Sequence, residues 1–256
     1  MSAFPEAAVQ RPIRVLAVTA THGFRHTAAI DAAKALFQDL REASEFEFTV
    51  TESLSDLEDL DGFDVVFFAN STLRVAPEEP AGLTAAQRQA LLSFVRGGGG
   101  FAGAHSALDA GYGWADYRAM VGGGLFHSHP WNQSVRISNN APAHPITAHL
   151  GAGFELRDEI YVLDVDPSPR SNVLLSLDVA SVDLRRLPDE VARPGFPLSW
   201  TRSEGNGRIF ITALGHFPHV WLDESYLEHL LQGLRYAAGR LPPQENSQET
   251  AQGADS

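Results

Sequence analysis

The chain has 256 residues, 44% of them hydrophobic, which is enough for one large α/β domain or two small ones around a substantial core. Lys and Arg total 19 against 32 Asp and Glu, a formal charge of −13 with histidine neutral. That balance repels nucleic-acid phosphates and anionic membranes, so neither is expected as a partner, and a neutral or cationic small ligand is. The absence of cysteine excludes disulfides, thiolate zinc sites and cysteine nucleophiles together. No apolar run is long enough to span a bilayer, and residues 1–12 lack the basic start and apolar core of a secretory signal; a cytoplasmic location is the expectation.

Residues 1–12 mix Pro, Ala and Glu without period and read as a flexible arm. Residues 13–19 are a β-rich apolar run suited to a central parallel strand. Thr27 is placed to cap a helix to about Glu42, with Ile30, Ala33, Leu36 and Leu40 near helical spacing. Residues 46–51 alternate as a strand, 54–60 form a short acidic connection, and 64–69 are a buried strand. A loop over residues 70–83 follows, then Thr84 caps a helix through about Arg96. Alternating β and α elements predict a doubly wound, mostly parallel sheet.

Beyond residue 110 a helix is expected to close over 117–124 on three glycines. Strands follow at 133–137, 159–163, 172–178, 197–201 and 208–214, a β-rich elaboration that extends the sheet with antiparallel partners or sits on it. Asp223 opens a last helix to about Tyr236. We expect a single α/β domain over 13–240 and a disordered tail over 241–256.

The chain's centre of gravity is the stretch 97–109: four glycines, the small apolar strand Phe101-Ala102-Gly103-Ala104, then His105 between small residues. This has the form of a nucleophile elbow leading into a helix, and it presents one side chain at the carboxyl edge of the sheet, where open α/β sheets bind ligands. An imidazole does not readily form an acyl intermediate, so acid/base work or metal ligation is the better fit. Other histidines gather in loops after strands: His22 and His26 flanking Arg25, His127 with His129, and His216 immediately after Gly215. Convergent neutral imidazoles suit zinc or another divalent metal, with Asp109 or Glu159 as a further ligand or base. His149 and His229 read as structural, satisfying backbone carbonyls.

Six segments in order carry a resemblance: Gly23-Phe24-Arg25-His26; residues 99–107; residues 123–130; His144-Pro145-Ile146; Asp158-Glu159-Ile160-Tyr161; and Gly207-Arg208-Ile209-Phe210 leading to Leu214-Gly215-His216. Over residues 13–239 the chain resembles the ThuA-like (trehalose-utilisation) family, whose fold is similar to flavodoxin-like class I glutamine amidotransferases. In those enzymes the elbow carries a cysteine and a late strand its histidine. Here His105 stands at the first place and His216 resembles the second, and the missing thiol removes thioester chemistry.

The resemblance implies a role in using trehalose-type disaccharides or their keto derivatives. His105 and His216 are then the expected catalytic residues, with Asp109 or Glu159 orienting an imidazole. His22, Arg25, His26, His129, Trp114 and Trp131 are expected to bind the sugar, the tryptophans by stacking. A metal, if present, is expected on His22, His105, His127 and His216. The competing expectation is a non-catalytic amidotransferase-fold module that binds a sugar or a partner protein; homo-oligomerisation stays open.

Overall fold

A computed structural model describes residues 11–42, 45–73, 82–187 and 195–241. Most of the arm at 1–12, the tail at 241–256 and residues 74–81 of the loop over 70–83 lie outside the described residues.

Among the described residues nine strands form one sheet in the order β2-β1-β3-β4-β9-β8-β7-β5-β6. The strands are β1 Ile13–Val18, β2 Phe46–Thr51, β3 Val65–Ala69, β4 Gly100–Ala104, β5 Phe126–Asn139, β6 Gly153–Leu163, β7 Asn172–Leu177, β8 Pro197–Glu204 and β9 Gly207–Thr212. From β2 to β9 the pairs are parallel, and from β9 to β6 they are antiparallel. The second-half strands therefore extend the sheet itself.

The α-helices among the described residues are α1 Thr27–Glu42, α2 Ala85–Gly97, α3 Ala115–Met120 and α4 Glu224–Ala237. Every residue of β3 and β4 is buried, as expected of strands that read as unbroken apolar runs. Neighbouring residues on β3 point to opposite faces. Phe67 meets Phe37 of α1 and Trp221, whereas Phe68 meets Phe101 and Tyr117 of α3. Both faces of the parallel half are thus covered, and only the strand ends remain for chemistry. Thr84 caps α2 in a capping box with Gln87, and the Asp223 carboxylate accepts the Tyr226 N–H at the start of α4.

Several boundaries differ from expectation. Thr27 is the first residue of α1, not its cap: the His26 carbonyl accepts the first intrahelical bond, from Ile30, at 2.9 Å. The elbow opens into a single 3-10 turn, His105–Leu108, instead of a longer helix. The next helix lies at Ala115–Met120, not 117–124, because Gly122 and Gly123 have φ of 107° and 99°, outside helical space. Strand β5 runs from Phe126, seven residues before its expected start, and its pairing with β6 shifts register between Phe126 and Trp131; these irregularities broke the alternation that would have marked a strand. Among the described residues no helix is long and apolar enough to cross a membrane.

Candidate active site at the carboxyl edge of the parallel strands

Ala69 and Ala104 pair in register at the ends of β3 and β4, and the residue after each turns left-handed: Asn70 has φ 56° and His105 φ 46°. Such backbone costs a non-glycine residue about 1–2 kcal/mol, and strain of this kind gathers at functional sites. Gly103 makes the turn compact, since a Cβ there would lie 2.9 Å from the Ala107 Cβ. The His105 ring is fully buried, tilted against Tyr161 at 4.0 Å between centroids. Its Nδ1 lies 2.9 Å from the Ala213 carbonyl. A carbonyl only accepts, so Nδ1 carries the hydrogen and neutral His105 keeps its lone pair on Nε2.

That lone pair faces His216, whose Nδ1 is 3.1 Å away. The chain reaches His216 through Gly215 at φ 121°, where a Cβ would come within 2.9 Å of the Tyr226 hydroxyl oxygen. Asn70 and Trp221 each donate to the Gly215 carbonyl at 3.0 Å. From the other side the buried Asp158 carboxylate accepts the backbone N–H of Gly215 at 2.7 Å and of His216 at 3.1 Å. Burial pushes the Asp158 carboxyl up, opposed by the neighbouring His105 and His216 imidazoles and by the backbone N–H groups of Gly215 and Glu159.

Glu159, the next residue on β6, enters the same space. Its Oε2 is 3.1 Å from His216 Nδ1 and 3.5 Å from His105 Nε2, and its Oε1 is 3.4 Å from His129 Nδ1. Burial opposes its ionisation, yet the His105 and His216 rings, when protonated, donate to it and attract it, and together they prevail and hold it well below the ordinary carboxylate range. His26 completes the group, edge-on to His105 at 4.9 Å and to His216 at 5.0 Å between centroids. Burial, then the proximity of His105 and His216, lowers its pKa to about 3. One donor atom from each of His26, His105, Glu159 and His216 falls within 4.8 Å of all the others.

The remaining expected residues divide. His129 is largely exposed but reaches the rim of the site through Glu159, with its ring stacked on Phe126. His22 and His127 are exposed and outside the four-residue group; His22 is held by its backbone N–H to Thr72, with its ring over Gly82. The group of side chains that the structure brings together thus differs from the expected metal ligands, with His26 and Glu159 in it and His22 and His127 outside it. Position within the 22–26 loop decides this, because only His26 is fixed by the start of α1.

Arg25 pairs with Glu52 at 2.7 Å, and Asp109, buried outside the group, accepts the Tyr112 hydroxyl at 2.8 Å. Trp114 is buried against Tyr117, and the fully buried Trp131 gives its indole N–H to the Asp183 carbonyl, so neither offers an open face for sugar stacking. Phe24 is exposed beside the site, 4.9 Å from the His26 ring. Asn70 and Asp158 were not expected at the site; the first follows an apolar strand directly and the second adjoins Glu159. His149 and His229 do satisfy carbonyls, those of Ser225 and Ile146.

The family model for trehalose utilisation, ThuA, matches residues 14–237. A ThuA-like protein from Bacteroides uniformis is 25% identical with a TM-score of 0.75, the match covering 92% of this chain and 95% of that one. A second, from Parabacteroides merdae, is 18% identical with a TM-score of 0.70, over 92% and 93%. A candidate GMP synthase protein from Thermoplasma acidophilum, at 11% identity and a TM-score of 0.55 over 90% and 96%, shares the fold. No curated protein matches the chain. With the match spanning nearly all described residues, and elbow and late-strand histidine facing each other, the chain belongs to the ThuA, trehalose-utilisation, family.

Proposed function

We propose that the chain is an enzyme acting on trehalose-type disaccharides or their keto derivatives, by proton transfer at His105 and His216 with Glu159 as their charge partner. The observation that carries this reading is the contact of two imidazoles and one carboxylate within 3.1–3.5 Å on three separate segments. With His105 Nδ1 committed to Ala213, a hydrogen on His216 Nδ1 is shared between His105 Nε2 and Glu159 Oε2. Nε2 of His216 is then its basic atom. An imidazole base suits removal of a proton beside a ketone, the step common to isomerisation and elimination. The imidazolium so formed is stabilised by Glu159, which its surroundings keep ionised.

Three further groups support a hydroxyl-rich ligand. Asn70 Oδ1, Thr72 Oγ1 and Ser106 Oγ follow β3 and β4, are buried, and find no hydrogen-bond partner among the described residues. Such groups cost about 1–3 kcal/mol each until satisfied.

The test is to incubate trehalose and its keto derivative with the unmodified protein, His105→Ala and His216→Ala. Product from the unmodified protein and a loss of roughly 100-fold or more in each variant is the expected result. Equal turnover in all three removes both residues from the mechanism, and a ligand bound but returned unchanged marks a binding module instead.

A further inference from the structure

We propose that His26, His105, His216 and Glu159 form a binding site for one divalent transition-metal cation of the zinc or cobalt type. The reading needs no particular substrate and goes beyond the proton-transfer proposal, which describes the cation-free form: with a cation bound, His216 Nδ1 gives its lone pair and the ring hydrogen sits on Nε2.

Spacing is the first argument. Ligand atoms about 2.0–2.2 Å from a common cation lie about 3.3–3.6 Å apart at the corners of a tetrahedron. Here His105 Nε2, His216 Nδ1 and Glu159 Oε2 are separated by 3.1, 3.1 and 3.5 Å.

Electron pairs are the second argument. In neutral His105, Nε2 is the lone-pair atom because Nδ1 donates to Ala213, and Glu159 Oε2 is an acceptor, so two electron-rich atoms face His216 Nδ1. A single hydrogen there serves them only in part, whereas a cation takes the lone pairs of all three. His26 adds a ring nitrogen to the same group, and its buried Nδ1 has no hydrogen-bond partner among the described residues.

The surroundings also fit. The Ala213 carbonyl fixes the tautomer and orientation of His105, the usual supporting role around a ligating histidine. Asp158 anchors the backbone of His216. Three imidazoles and one carboxylate suit a borderline cation better than calcium or magnesium, which favour all-oxygen shells. A cation of this class polarises a carbonyl or acidifies a water.

Untagged, chelator-treated full-length protein titrated with Co(II), followed by visible ligand-field absorption and displaced by Zn(II), tests the site. One equivalent should bind. Glu159→Gln and His26→Gln should weaken binding about 100-fold or more, while His22→Ala and His127→Ala should bind as the unmodified protein does, all four checked for native far-UV circular dichroism. Folded protein that binds no stoichiometric cation, or binding that Glu159→Gln and His26→Gln leave intact, overturns the proposal. Disaccharide turnover by such cation-free protein would leave the proton-transfer reading standing; one tight equivalent with no turnover would do the reverse.

Discussion

The buried carboxylate of Asp158 holds His216 by its backbone, not by its ring: Oδ1 accepts the His216 N–H at 3.1 Å, and Oδ2 takes that of Gly215 at 2.7 Å. Oδ1 also accepts the N–H of Glu159 at 2.9 Å, so one side chain ties together the two segments that carry His216 and Glu159. In Asp158→Asn one oxygen becomes an NH₂ group facing an N–H donor. We expect a loss of about 1–3 kcal/mol in urea unfolding, together with at least tenfold lower turnover. An unchanged midpoint would show that Asp158 does not anchor the loop.

Backbone strain at His105 can be separated from its chemistry. At φ 46°, glycine avoids the left-handed penalty that alanine retains. Both His105→Gly and His105→Ala lose the ring, and His105→Gly should be the more stable by about 0.5–1 kcal/mol despite its more flexible unfolded chain. Thermal melting of the pair decides this, and His105→Ala melting higher would contradict it.

Away from the site, His229 should make stability depend on pH. Burial lowers its pKa to about 3, and the neutral ring bonds to the Ile146 carbonyl and Ser199 hydroxyl. An unfolded histidine titrates near 6.5, so the unfolded chain binds one more proton between those values. The stability from neutral His229 is complete above about pH 6.5 and falls as pH drops toward 3, by up to about 1.4 kcal/mol per pH unit. His229→Gln, measured by urea unfolding at several pH values, should lose one proton's worth of this slope; parallel curves would exclude the effect.

Much of this was legible in the residues. Apolar runs, unbroken in β3 and β4 and interrupted only by Arg14 in β1, marked these strands because strands covered on both faces leave little polar alternation to blur them, and Thr84 and Asp223 announced their helices through capping chemistry. His105 was marked by small neighbours that only a sharp turn requires. The start of β5 was hidden by its bulges. The choice of His26 over His22, both in one loop, depends on where α1 begins, a tertiary outcome that residue spacing does not encode. Trp114 and Trp131 illustrate the reverse: large aromatics near a site in sequence satisfy the core first.

His105 and His216 should act as one unit, and a double-mutant cycle on single-turnover rates with the keto disaccharide tests this most directly. His105→Ala and His216→Ala should each cost about 100-fold or more, and the double variant no more than the worse single, because removing either ring already dissolves the pair. Losses that multiply, or singles that turn over at the unmodified rate, would contradict a shared centre.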